Sequence, residues 1–174
     1  MISLMNVTLQ KFEYPRTLIK EFKFWTVQLR PKQVTLGSLV LINKSEALHL
    51  GELSDAEWAE FAEVSSLAER LLKKVFSPDK FNYLALMMKD PNVHFHMIPR
   101  YERDVKFAGQ TFTDPDWPGA TNMQAISVGG GVFDRILDEL KAWESQDESS
   151  VRLLSQRRPL EHGQRPLQSP DRRE

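Results

Sequence analysis

Polar and apolar residues alternate most strictly just after Pro91, where Asn92, His94 and His96 share one parity and Val93, Phe95 and Met97 the other. A period of two is that of a β-strand. Its apolar side chains then pack on a core, while an amide and two imidazoles stand in a row on the opposite face. Neighbours on that face are about 6–7 Å apart, close enough to hold one phosphate or one metal ion. Asp90-Pro91 marks a turn before this strand, and Pro99 ends it.

The same pattern reading extends along the chain. Residues 1–13 alternate weakly through Leu4, Val7, Leu9 and Phe12 and are assigned to an edge strand. Residues 22–29 form a strand, and the compact apolar run 36–42 forms a central one. Gly37, at the start of that run, marks a bulge or a close backbone approach. Ser54 and Glu57 then fit a capping box, in which each side chain serves the other's backbone N–H. Trp58, Phe61, Val64, Ala68, Leu71, Leu72 and Val75 recur at helical steps, one buried stripe of an amphipathic helix. Lys73 and Lys74 suit the negative end of its dipole, and Ser77-Pro78-Asp79 stops it. Residues 81–88 form a strand that pairs with the histidine strand as an antiparallel hairpin. Residues 103–123 read as a loop, Gly129-Gly130-Gly131 as a flexible linker, and residues 132–143 as a second helix. From residue 144 the chain is charged and broken by Pro159, Pro166 and Pro170, with little to bury. The expectation is an α+β fold in one domain, residues 1–143, followed by a disordered charged tail, residues 144–174.

Composition narrows the function classes. The chain has 174 residues and a net charge of −1, which gives no overall electrostatic case for nucleic-acid or membrane binding. It has no cysteine, so disulfides, thiolate catalysis and cysteine zinc sites are excluded together. No apolar run reaches the length of a membrane span, and the first residues do not read as a secretory signal. A cytoplasmic protein is the plain expectation.

The chemistry is concentrated at His94 and His96. From the pair alone, phosphate chemistry, metal binding and an ordinary surface role all stay open. A metal reading needs a third ligand. His49 and His162 lie elsewhere in the sequence, and Asp90 is the nearest acid. Arg100 is suited either to a polyphosphate or to an ion pair. The glycine run lacks the lysine and hydroxyl of a P-loop.

The run Val93-His94-Phe95-His96-Met97-Ile98-Pro99-Arg100 resembles the signature of the histidine triad (HIT) family, in which three histidines alternate with apolar residues and Pro-Arg often follows. The Leu36-Gly37-Ser38 strand, the Leu53-Ser54-x-x-Glu57 helix start and Asn82 resemble further family segments in the same order, over residues 16–120. Two positions depart from the pattern: Asn92 stands for the first histidine, and Ser38 for the histidine expected after Gly37. Those two positions touch in the family, so their joint change reads as repacking. Variants of this kind resemble the diadenosine polyphosphate hydrolase branch. The family's ribose-binding acid or amide is not evident in residues 28–31.

The resemblance implies an antiparallel sheet of about five strands, with a main packed helix and a C-terminal helix, and a two-fold homodimer. It implies cleavage at the α-phosphate of a nucleotide or dinucleoside polyphosphate, with no metal or organic cofactor. His94 would be the nucleophile, its second ring nitrogen donating to a backbone carbonyl. His96 would hold phosphate oxygens, and Asn92 would orient the group. Asn82, Asp90 and Ser38 would lie on the phosphate side. A HIT-like nucleotide-binding module with weak catalysis, and a metal-dependent hydrolase using His94 and His96, are the competing readings.

Overall fold

A computed structural model describes residues 6–155. The described residues begin with a one-turn helix, α1 (Val7–Lys11), where an edge strand was expected over residues 1–13; residues 1–5 of that stretch lie outside the described residues. Asn6 caps it: its side-chain oxygen accepts from the Leu9 backbone N–H at 3.0 Å. Leu9 and Phe12, three residues apart, then fall on one side and bury against Val40 and Ile42. A spacing of three satisfies the helix, and an alternation read over so few residues could not exclude it.

Next come β1 (Leu18–Glu21), β2 (Trp25–Leu29), the two-residue β3 (Lys32–Gln33) and β4 (Leu39–Asn43). Between β3 and β4, Gly37 has φ +80°, and an added Cβ would lie 2.8 Å from the Phe76 ring. Both backbone freedom and the missing side chain are therefore used at this turn. The long helix α2 (Asp55–Val75) has the expected capping box, with Ser54 N–H donating to Glu57 at 2.8 Å. Its buried stripe is Val64, Leu67, Ala68, Leu71 and Leu72. At the tip of the β1–β2 turn, the Glu60 carboxylate accepts the Phe24 and Trp25 backbone N–H groups at 2.6 and 3.1 Å, pinning α2 to the sheet.

Strands β5 (Lys80–Leu84) and β6 (His94–Arg100) follow and pair antiparallel, with Leu84 opposite His96. The region expected to be loop contains a small hairpin, β7 (Val105–Phe107) with β8 (Gln110–Phe112). A two-residue β9 (Ile126–Ser127) pairs with β3. The main sheet is five-stranded and antiparallel, in the order β1-β2-β4-β6-β5.

The last helix, α3 (Gly130–Ser155), corrects two expectations. The glycine run opens the helix instead of forming a linker: the Gly129 carbonyl accepts from Val132 and Phe133. The helix also continues through residue 144, where a tail was expected to begin. Charge does not end it, because the charges have partners. Glu144 is buried and meets Lys20 at 2.8 Å, Glu148 also pairs with Lys20, and Asp147 pairs with Arg70 of α2 at 3.1 Å. Residues 156–174 of the expected tail lie outside the described residues.

The sheet's two faces differ sharply. Val27, Leu39, Leu41, Val93 and Met97 face α2 and α3 and form the main core. The other face carries Val40, Ile42, His94 and His96 and is covered by α1. Burial of the large core drives the fold, while the smaller cluster seats the N-terminal helix over the histidines.

Candidate functional site

Register sets the site. In β4 and β6, Ile42 is opposite His94 and Val40 opposite His96, so the imidazoles rise from the centre of the sheet. The His94 Nδ1 lies 2.7 Å from the Asn92 carbonyl oxygen. A carbonyl only accepts, so Nδ1 carries the proton and Nε2 of neutral His94 has its lone pair free. That Nε2 lies 3.3 Å from His96 Nε2, which must then be the N–H donor of this pair. His96 Nδ1 is left buried with no hydrogen-bond partner among the described residues.

Both rings are neutral at ordinary pH. Burial is the main cause at His94, opposed by its bond to the Asn92 carbonyl. Burial, then His94 and the Arg30 cation, push His96 down to about 3. A buried imidazole loses the hydration that its cation needs. The arrangement therefore presents one nucleophilic nitrogen, capped by a neighbour able to turn its N–H toward a phosphate oxygen.

The rings are also covered. His94 is 1% and His96 4% exposed. The Phe12 ring lies 6.0 Å from that of His94 and, edge-on, 5.7 Å from that of His96. A cavity of about 470 Å³ has Phe12 and Asp90 in its wall, together with Lys11, Glu13, Arg30, Pro31, Lys32 and Lys89.

The other candidate residues divide. Asp90 joins the histidines: one atom from each of Asp90, His94 and His96 lies within 4.8 Å of the others. It is ion-paired with Lys11 of α1. Asn92 is buried, but its side chain faces away from the rings' chemistry: its Oδ1 accepts from the Thr8 hydroxyl at 3.2 Å and the Thr8 N–H at 3.4 Å. Its main-chain carbonyl, not its amide, orients His94.

Ser38 does not meet Asn92. It sits at the start of β4, level with Ile98, whereas Asn92 lies beyond the other end of the pairing. The Ser38 hydroxyl donates to the Thr35 carbonyl at 2.8 Å and accepts from Val34 and Thr35, which closes the β3–β4 turn. Asn82 lines a different cavity and accepts from Arg100. Arg100 in turn is buried and forks onto Asp114 at 2.6 and 3.0 Å, so it is a structural ion pair. His49 is exposed at the cap of the turn before α2. Sequence reasoning missed Thr8, Lys11, Phe12 and Arg30, since only long-range packing brings them to β6.

No protein-family profile matches the chain, and no curated protein matches it in sequence. Solved structures do. A histidine triad protein from Sinorhizobium meliloti is 20% identical, with a TM-score of 0.61, covering 77% of this chain and 91% of that one. A histidine triad protein from Bradyrhizobium japonicum is 21% identical, with a TM-score of 0.58, covering 72% and 87%. The diadenosine triphosphate hydrolase of Plasmodium falciparum, solved with cyclomarin A, is 13% identical, with a TM-score of 0.54, covering 81% and 96%. The chain has the α+β fold of histidine triad proteins.

Proposed function

We propose that this protein is a nucleotide hydrolase or transferase acting at the α-phosphate of nucleoside phosphate derivatives, diadenosine polyphosphate-like compounds among them. The observation that carries this reading is the fixed tautomer of His94: Nδ1 held at 2.7 Å by the Asn92 carbonyl, Nε2 free to attack. A fold shared with a diadenosine triphosphate hydrolase supports it.

In the first step the His94 Nε2 lone pair bonds to the α-phosphorus, and the bond to the leaving group breaks. The leaving group departs with the bonding electrons and takes a proton from water. In the second step water attacks the phosphorus, the P–N bond breaks, and its electrons return to Nε2. The water's proton passes to the medium. His96 turns its Nε2–H from His94 to a phosphate oxygen as charge develops there. Phe12 must leave the rings for the phosphate to enter. No metal is needed for these steps, and the protein works as a homodimer.

The test is to mix the protein with a nucleotide labelled at the α-phosphate, quench without acid, and map the label. Label on His94, and its loss with turnover in His94→Asn, is the expected result. Wild-type turnover in His94→Asn would remove the reading, and tight nucleotide binding without label would favour a binding module. The cluster of Asp90, His94 and His96 supports one competing reading, a metal-dependent hydrolase. Stoichiometric zinc in the purified protein, with activity lost on chelation, would favour it.

A further inference from the structure

Arg30 and Arg100 are both held by the sheet, yet they end in opposite states. Arg100 is satisfied by Asp114, Asn82 and the Gly119 carbonyl. Arg30, at the end of β2, donates one terminal nitrogen to the Lys32 carbonyl, while its Nε is buried with no partner among the described residues. No carboxylate lies within ion-pair distance of it among those residues. The Asp90 carboxylate acts on Arg30 electrostatically but is shared with Lys11, and a mostly buried guanidinium with so little compensation is destabilising for the free protein.

The cleft beside it shows the same imbalance. Two acids line it, and both are already engaged: Asp90 by Lys11, and Glu13 by Arg16 at 2.6 Å. Four cations line it: Lys11, taken by Asp90, and Arg30, Lys32 and Lys89, none of which has an ion-pair partner among the described residues. Two buried polar atoms without a partner among the described residues, Arg30 Nε and His96 Nδ1, lie in this one neighbourhood. Orphaned groups gathered at one place mark where a ligand completes the structure. The charge left over is positive, so the ligand group is an anion. The cavity of about 470 Å³ has room for several linked phosphates.

We propose that Arg30, backed by Lys32 and Lys89, holds the charged group beyond the scissile bond, so that the site selects nucleotides joined through phosphate over nucleotides joined to an uncharged group. This deepens the proposed function and rests on His94 as the attacking group. Arg30 is a specificity-determining residue here, reading the leaving group while His94 does the chemistry.

Inorganic tripolyphosphate is the binding probe, titrated into the wild-type protein, Arg30→Gln, Arg30→Lys and the double variant Lys32→Gln/Lys89→Gln, with a thermal melt on each. The expected loss is about ten-fold in Arg30→Gln, less in Arg30→Lys, and about three-fold in the lysine pair, with a weaker salt dependence. The lysine pair is exposed and keeps the test standing if Arg30→Gln fails to fold. No binding to the wild-type protein, or equal binding by the variants, overturns the anion site. Kinetics then compare a dinucleoside triphosphate with a nucleoside 5′-phosphoramidate carrying the same nucleotidyl group. Arg30→Gln should lower kcat/KM about ten-fold or more for the triphosphate and less than about three-fold for the phosphoramidate. Equal losses on both overturn selection by Arg30. Tripolyphosphate bound through Arg30, with neither nucleotide turned over, supports the anion site and overturns the catalytic reading instead.

Discussion

The Phe12 ring stands edge-on to the His96 imidazole with centroids 5.7 Å apart, so the helix at the start of the chain roofs the histidines at its centre. The contact belongs to a small cluster, with Leu9, Val40 and Ile42, far weaker than the main core on the other face. Opening it costs less than disturbing the body of the fold. Phe12→Ala should therefore speed modification of His94 and His96 by diethyl pyrocarbonate, with exposed His49 as the internal standard. It should lower unfolding free energy by about 3 kcal/mol through lost burial. Unchanged labelling rates would mean that something else covers the rings.

The neutral histidine pair predicts how stability follows pH. His96 is held down to about 3 in the folded protein, against about 6.5 when unfolded. Between these values the unfolded chain binds the extra proton, so stability rises with pH. Stability should be level above about pH 7 and fall as pH drops through 6.5, by up to about 1.4 kcal/mol per unit for this group. His94, lowered by burial, adds to the slope in the same direction. Chemical denaturation of His96→Gln should show a shallower slope over pH 4–6.5. An equal slope would mean that His96 is not buried neutral.

Thr8 and Asn92 exchange hydrogen bonds across 84 positions of sequence, and each side chain is almost fully buried. Thr8→Val and Asn92→Ala should each cost about 1–2 kcal/mol, and the double variant less than the sum, by about 1 kcal/mol. Additive losses would show that the pair is not coupled. Asn92→His should change turnover only modestly, because the main-chain carbonyl orients His94 and survives the change. A collapse of activity with the fold intact would give the Asn92 side chain a role of its own.

Much of this fold was legible from local pattern. The α2 stripe and its Ser54 cap depend on residues within one helix, and the side-by-side placing of His94 and His96 depends on a period of two. Both come from spacing alone. What β6 faces depends on register with β4 and on what α1 covers, and no short window carries that. Ser38 shows the limit: its type suited a phosphate site, but its position in the pairing puts it level with Ile98, where it closes a turn. Likewise α3 outran its expected end because Glu144, Asp147 and Glu148 meet cations on β1 and α2, partners that are remote in sequence.

Arg100 was a candidate for polyphosphate, and its partner decides otherwise. Its side chain is 4% exposed and that of Asp114 2%, with two parallel bonds at 2.6 and 3.0 Å. Asp114 also accepts the Tyr101 N–H at 3.2 Å, so the pair ties the end of β6 to the segment after β8. Removing one partner strands a buried charge. Asp114→Ala should cost about 3–5 kcal/mol, whereas replacing the pair with apolar residues of similar volume should cost much less. Tripolyphosphate binding by folded Asp114→Ala should match the wild-type protein, since Arg100 and Asn82 line the other cavity. A binding loss as large as that of Arg30→Gln would move the anion site from the Arg30 cleft to this one.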